Sequence, residues 1–175
     1  KKSEPAATYE QGSRPLFSDD SAWLAVTIAK SPTELKKEKK AGDKAPKSAG
    51  QTVKLRRLKD GETTELKNVG TFSFSADSRF AAMEILPKTS GAPKPGETTP
   101  GKVLIIRELA SGRDTSFGNV VRYAWSDRGA LMAMVVDSPS ISNTLQVFDP
   151  ARGNLRTLES NEQNYTALVW REDAM

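Results

Sequence analysis

The segment Tyr123–Val136, YAWSDRGALMAMVV, places the four residues SDRG between an aromatic pair and an apolar run. The same arrangement occurs twice upstream, as LFSDDSAWLAVTI from Leu16 and as FSFSADSRFAAMEI from Phe72. A fourth copy begins at Leu168 with LVWREDAM. The spacing between copies, 57, 51 and 45 residues, is typical of a repeat architecture with insertions. The aromatic residues that precede the polar segments are Phe17, Phe74, Trp125 and Trp170.

The apolar run after each polar segment has the pattern of a β-strand. The runs align as WLAVTI, FAAMEI and LMAMVV, beginning at Trp23, Phe80 and Leu131. Every second position is apolar and the positions between are mixed, which indicates one fully buried face. A small residue is expected wherever one sheet packs closely on the next. The third column is alanine in every complete copy, namely Ala25, Ala82 and Ala133.

Each copy continues with a strand, a short turn that ends in glycine, and a more polar strand. The first example is VKLRRLKDGETTEL, beginning at Val53. Such a hairpin places glycine where the turn requires a positive φ. Each repeat therefore holds about four short strands, and no long stretch has helical spacing, so we predict an all-β chain. The turn glycines are Gly61, Gly112 and Gly153.

Four-stranded antiparallel units at this spacing predict the blades of a β-propeller. The predicted domain is a partial propeller over residues 1–175, with about three complete blades and the start of a fourth. Because a closed propeller has roughly 4 to 8 blades, we expect a fragment of a larger propeller. The predicted repeats are 14–68, 69–118, 119–160 and the incomplete 165–175.

The polar segments are predicted to form the tight turns between the first two strands of each blade. Serine and aspartate side chains can hydrogen-bond the backbone of such a turn. The competing interpretation makes the aspartates metal ligands or catalytic carboxylates, although a catalytic pair is not expected at the same place in every repeat. The aspartates concerned are Asp19, Asp77 and Asp127. We interpret Trp23, Trp125 and Trp170 as blade core rather than as ligand platforms.

Two insertions separate the second and third strands, a lysine-rich one at 31–50 and a proline- and glycine-rich one at 87–101. The net charge of +4 equals that of residues 30–50, which hold the first insertion, and this segment is predicted to be a solvated surface segment. Few aromatic residues accompany its lysines, so the pattern does not favour nucleic-acid binding. Both insertions would lie at one end of the propeller, where they could contact a partner or serve no binding role.

The sequence has no histidine and no cysteine, which excludes a Ser-His-Asp triad, disulfides and thiolate metal sites. No apolar run approaches the length of a membrane span. No phosphate-binding glycine motif is present. We therefore assign no catalytic, cofactor-binding or metal-binding residue, and we expect no cofactor and no membrane insertion.

The segments FSDDSAWLAV and FSADSRFAAM resemble the TolB-like, WD40-related propeller repeat. With the insertion after the first strand pair and the hairpin VKLRRLKDGE, the chain resembles the N-terminal propeller of bacterial S9-family serine peptidases, the prolyl oligopeptidase and dipeptidyl peptidase relatives. That resemblance implies that the catalytic serine, aspartate and histidine belong to a C-terminal α/β-hydrolase domain. This sequence contains no G-x-S-x-G nucleophile motif, so no catalytic residue is carried over.

The resemblance implies the non-catalytic propeller of a serine peptidase of the prolyl oligopeptidase type. Such a propeller packs on the α/β-hydrolase domain of the same chain and restricts the access of peptide substrates. The alternative is a TolB/WD40-like scaffold for protein–protein interaction without enzymatic activity. A third hypothesis is nucleic-acid binding through the lysine-rich insertion. The resemblance also implies a periplasmic or extracellular location, and homo-oligomerisation remains open.

Overall fold

The chain forms eleven β-strands within the residues that the computed structural model describes, which are 7–33, 36, 50–86, 102–137, 142–163, 165 and 167–171. Most of the predicted insertion 31–50 and all of 87–101 lie outside these residues. The strands are β1 (Gly12–Phe17), β2 (Trp23–Ile28), β3 (Gln51–Arg57), β4 (Thr63–Phe74), β5 (Phe80–Ile85), β6 (Val103–Glu108), β7 (Asp114–Gly118), β8 (Val120–Trp125), β9 (Met132–Val136), β10 (Asn143–Asp149) and β11 (Asn154–Asn161).

The strands form two antiparallel sheets in which every neighbour in sequence is a neighbour in space. Strands β1 to β7 build a seven-stranded sheet, and β8 to β11 build a four-stranded one. We define blade 1 as β1, β2, β3 and the first part of β4. Blade 2 is the second part of β4 with β5, β6 and β7, and blade 3 is β8 to β11. The predicted all-β fold of successive four-stranded units is thereby confirmed.

Strand β4 is long because it serves two blades. Its first part pairs with β3 and its second part pairs with β5. Val69 belongs to both ladders, opposite Gln51 on one side and Ile85 on the other. Between blades 2 and 3 the chain instead leaves β7 at Gly118 and enters β8 at Val120, with no residue common to both ladders.

Each blade is entered through a residue in the left-handed region of φ. The φ values are 58° at Gln11, 58° at Asn68 and 57° at Asn119. Asparagine tolerates this conformation better than most residues do. The carbonyl oxygen of each accepts a hydrogen bond from the residue that follows the second strand of the blade. The donors are the backbone N–H groups of Ala29, Leu86 and Asp137, at 3.1, 2.9 and 3.0 Å.

The hydrophobic core is divided into two clusters, one between each pair of adjacent blades. The first joins Ala25, Val53 and Leu55 of blade 1 to Ala81 and Met83 of blade 2. Because side chains alternate along a strand, the next residues of β5 point the other way and belong to the second cluster. Its members from blade 2 are Phe80, Ala82, Leu104 and Ile106, and those from blade 3 are Val120, Met132, Met134 and Phe148.

Candidate functional site

The turns after β1 and β4 each contain the same pattern of hydrogen bonds. In blade 1 the hydroxyl of Ser18 donates to Asp20 Oδ1 at 2.6 Å and accepts from the N–H of Trp23 at 3.0 Å. In blade 2 the hydroxyl of Ser75 donates to Asp77 Oδ1 at 2.7 Å and accepts from the N–H of Phe80 at 3.0 Å. Both serines are buried. These serine and aspartate side chains therefore hold the turn backbone.

The aspartates predicted for the three turns do not occupy equivalent positions. Asp77 bonds its turn, but in blade 1 the corresponding side chain is Asp20, and Asp19 lies one residue earlier on the exposed surface. In blade 3 the position of Asp77 is taken by Arg128, whose carbonyl accepts from the hydroxyl of Ser126 at 2.6 Å. Asp127 is exposed. The sequence alignment missed Asp20 because two aspartates stand side by side.

Hydrogen bonds also link the turns of adjacent blades. The N–H of Asp20 donates to the Ser78 hydroxyl at 3.1 Å, and the N–H of Asp77 donates to the Gly129 carbonyl at 3.2 Å. The hydroxyl of Ser18, followed by the N–H of Ala22, lowers the pKa of the exposed Asp20 carboxyl. Within the described residues, no three acidic, histidine or cysteine side chains group as metal ligands do. The turns therefore have the contacts of structural elements.

The predicted hairpin glycines all lie in the left-handed region. The φ values are 79° at Gly61, 72° at Gly112 and 69° at Gly153. Beside the first hairpin, the guanidinium of Arg57 lies 5.7 Å from the ring centroid of Trp23 and forms ion pairs with Asp60 and Glu62. Trp23 therefore packs at the boundary of blades 1 and 2. The cation–π contact with Arg57 adds to the stabilisation that its burial provides.

The other predicted repeat positions separate into buried and exposed groups. The alanines Ala25, Ala82 and Ala133 are buried, as is Phe80. Phe17 on β1 is 54% exposed, because no neighbouring blade covers it within the described residues. Phe74 packs against the first core cluster and Trp125 against the second, both half-buried, and Trp170 Nε1 donates to the Ala124 carbonyl at 2.9 Å.

A cavity of about 360 Å³ lies between blades 1 and 2. Strand β1 contributes Arg14 to its wall, and β2 and β3 contribute Thr27 and Gln51. Its apolar lining includes Val53 of β3 and Phe72 of β4. Its volume falls within the range of small-molecule sites in proteins. The sequence marked these residues only as members of strands.

Arg14 reaches this cavity because β1 is irregular. The register of β1 against β2 shifts between Ser13 and Leu16, and Arg14 has a φ of 48°. A β-bulge of this kind re-aims a side chain relative to the regular alternation of a strand. A non-glycine residue in the left-handed region is uncommon. Pro15 was the available signal in the sequence, because proline within a sheet is confined to edge strands, first positions of strands and bulges.

A polar cluster lies between blades 2 and 3. The hydroxyls of Thr71 and Tyr123 form a hydrogen bond, which joins β4 to β8. The Lys102 Nζ atom lies 3.0 Å from Glu84 Oε1. Burial raises the pKa of the Tyr123 phenol, and the nearby Glu84 charge acts in the same direction. The phenol is therefore neutral at neutral pH and acts as a hydrogen-bonding link between blades.

No helix among the described residues is both long and apolar enough to cross a membrane. No protein-family model and no curated protein sequence matches the chain. The β-propeller domain of the trilobed protease from Pyrococcus furiosus is similar in structure, with a TM-score of 0.54 at 14% identity. That protein is described as having an open velcro topology. The similarity covers 95% of this chain and 47% of the other.

Pyrococcus horikoshii acylaminoacyl peptidase is also similar, with a TM-score of 0.51 at 10% identity. This similarity covers 87% of the present chain and 25% of the peptidase. The chain therefore spans about half of the first structure and a quarter of the second. The first neighbour is the propeller domain of a protease, and the second is a peptidase. At these identities the similarity establishes the fold, which is that of successive β-propeller blades.

Proposed function

We propose that this chain is the non-catalytic propeller portion of a serine peptidase of the prolyl oligopeptidase type. The observation that carries the proposal is the match of three consecutive blades to the propeller of the Pyrococcus furiosus protease. The similarity to an acylaminoacyl peptidase supports the same role. In this role the propeller packs on an α/β-hydrolase domain and limits which peptides reach the catalytic serine.

The chemistry of the chain agrees with a role outside bond cleavage. The sequence contains no histidine, and a serine hydrolase of the triad type needs one as general base. The turn carboxylates are held by turn hydroxyls and backbone N–H groups. The hydrolytic residues of the proposed peptidase therefore belong to a domain other than these blades.

Labelling with a fluorophosphonate probe tests the proposal, because the probe reacts only with an activated serine nucleophile. We expect the full-length gene product to be labelled and expect a Ser→Ala change in its G-x-S-x-G motif to abolish labelling. A full-length product without such a motif and without labelling would contradict the proposal. It would favour the alternative, a propeller that acts only as a binding scaffold.

Whether the propeller restricts the entry of peptides is tested separately, by varying the length of the peptide substrate. If the propeller limits entry, kcat/KM of the full-length enzyme falls as the peptide is extended on either side of a fixed cleavage site. Tyr123→Phe, which removes the hydroxyl link between blades 2 and 3, should weaken this length dependence. Val121→Phe at an exposed position of the same strand is the control. Equal kcat/KM for short and long peptides would contradict a gating role while leaving the peptidase assignment intact.

A further inference from the structure

We propose that the cavity between blades 1 and 2 binds a carboxylate that carries a compact apolar group, and that Arg14 recognises the carboxylate. This site goes beyond the peptidase assignment and does not depend on it. Among the residues that the structure describes, the lining combines one cation with hydroxyl, amide and apolar groups and includes no acidic residue. An anionic ligand is therefore the complementary one.

The guanidinium of Arg14 is available for a ligand. Within the described residues no ion pair or hydrogen bond engages it, whereas Arg57, Arg107 and Arg152 each pair with a carboxylate of their own hairpin. Arg107 shows the geometry that this chemistry takes, with two bonds of 2.7 Å to the Asp114 carboxylate. Guanidinium groups bind carboxylates in this bidentate manner with high geometric specificity.

The residue with the strained backbone, Arg14, lies in the wall of the cavity. A regular β1 would need no residue at a φ of 48°, and such positions persist where the surrounding structure requires them. The bulge brings Arg14 and Leu16 together into the cavity wall. The strained residue and the cavity therefore coincide.

The remaining lining residues supply further hydrogen-bond donors and an apolar surface. The hydroxyl of Thr27 and the amide of Gln51 can donate hydrogen bonds to carboxylate oxygens that Arg14 does not engage. Val53, Val69 and Phe72 form the apolar part of the lining. Apolar surface combined with a few polar groups is the usual composition of a small-ligand site.

Two sources can supply this chemistry, the C-terminal residue of a peptide and a free N-acyl amino acid. Isothermal titration calorimetry on the full-length protein distinguishes them. The probes are acetyl-leucine and acetyl-Ala-Ala-Leu, each compared with its C-terminal amide. We expect the acids to bind and the amides to bind at least tenfold more weakly. Tighter binding of the tripeptide acid identifies the peptide source, and equal binding of the two acids identifies the free amino acid.

The decisive variant is Arg14→Asn, because asparagine accepts a positive φ and removes the charge. We expect at least tenfold weaker binding of the acids with an unchanged or higher Tm. Arg122→Asn, on the exposed part of β8 outside the cavity, is the matched control and should bind as the wild type does. Failure of the wild-type protein to bind either acid would overturn the proposal. Equal binding of acids and amides, or normal binding by Arg14→Asn, would overturn it as well.

Discussion

At the scale of single residues, Gly50 has the least room for a side chain among the glycines that the structure describes. A Cβ atom placed on it would lie 2.3 Å from the carbonyl carbon and 2.4 Å from the Cα of Asn68. These are backbone atoms, which cannot swing aside as the end of a side chain can. The close approach brings the start of β3 against the crossover from blade 1 to blade 2.

Gly50→Ala should therefore destabilise the protein by about 1–3 kcal/mol, the usual cost of forcing extra atoms into a packed site. Gly118→Ala is the matched control, since its Cβ would meet nothing within 4 Å and its φ is not in the left-handed region. Urea denaturation of the two variants measures the difference. Equal stabilities would show that β3 can retreat from Asn68 without loss.

The carboxyl of Asp20 gives blade 1 a sensitivity to acid. Its pKa is lowered, first by the Ser18 hydroxyl and then by the N–H of Ala22. A carboxyl with a lowered folded-state pKa stabilises the fold above its unfolded pKa, and that stabilisation is lost as the pH falls through the folded value. The effect is small because the group is exposed to solvent and its interactions are screened.

Asp20→Asn should consequently reduce the fall in Tm between pH 5 and pH 2, the range in which aspartates titrate. The variant should be less stable than the wild type at pH 7, and the two should converge at the acid end. Asp19→Asn is the control, because the Asp19 carboxylate makes none of the turn bonds of Asp20. Parallel Tm curves for Asp20→Asn and wild type would contradict the assignment.

At the scale of elements, the turns after the first strands connect one blade to the next. Ser78 and Ser21 occupy the same turn position with φ values of 58° and 57°. Only the hydroxyl of Ser78 accepts a hydrogen bond from the turn of another blade, within the part of the chain that the structure describes. A comparison of changes at Ser78 and Ser21 therefore measures the hydrogen bond between blades without the cost of the turn conformation.

Ser78→Ala should cost about 1 kcal/mol more than Ser21→Ala, the typical net worth of one hydrogen bond. Both changes place alanine at the same positive φ, so the cost of that conformation cancels in the comparison. Thermal unfolding monitored by tryptophan fluorescence provides the measurement. If the two variants are equally stable, the bond between Asp20 and Ser78 contributes nothing to blade association.

Sequence patterns were most informative about the strands and turns. Alternating apolar residues, an alanine column and glycine-terminated turns identified four strands per repeat, because each of these signals depends on local geometry. The bulge at Arg14 and the aspartate shift in blade 1 were not predicted. Both depend on how two strands align in space, and neighbouring residues such as Asp19 and Asp20 look alike in a sequence.

At the scale of the whole molecule, each blade relies on its neighbour for a core. Met134 is fully buried in the cluster that joins blades 2 and 3. Repeat proteins of this kind gain stability from nearest-neighbour interfaces. Loosening one interface should therefore affect its two blades more than the third.

Met134→Ala should cost about 2–5 kcal/mol, the range for truncating a buried methionine. Amide hydrogen exchange should accelerate in β8 to β11 more than in β1 to β3. Val26→Ala removes a buried side chain from blade 1 that belongs to neither cluster and serves as the control. Uniform acceleration over all eleven strands would instead indicate one cooperative unit.

The cavity could not be anticipated from the sequence for a related reason. Its walls combine residues of four strands from two blades, and the irregularity in β1 places Arg14 among them. Composition did predict that the described blades would carry no triad, since that conclusion needs only the absence of histidine. The absence of a residue type can be seen in the composition. A site built from two blades can be identified only once the fold is known.

The double role of Val69 has a consequence for how the protein can be divided. A cut after residue 68 would separate Val69 from Gln51, its partner in the ladder of blade 1. Both products would be left with an incomplete sheet. A cut at Asn119 would pass between two finished sheets. Limited proteolysis, circular permutation and gene fusion should accordingly tolerate a break at Asn119 far better than one at Asn68, although both lie between equivalent repeats.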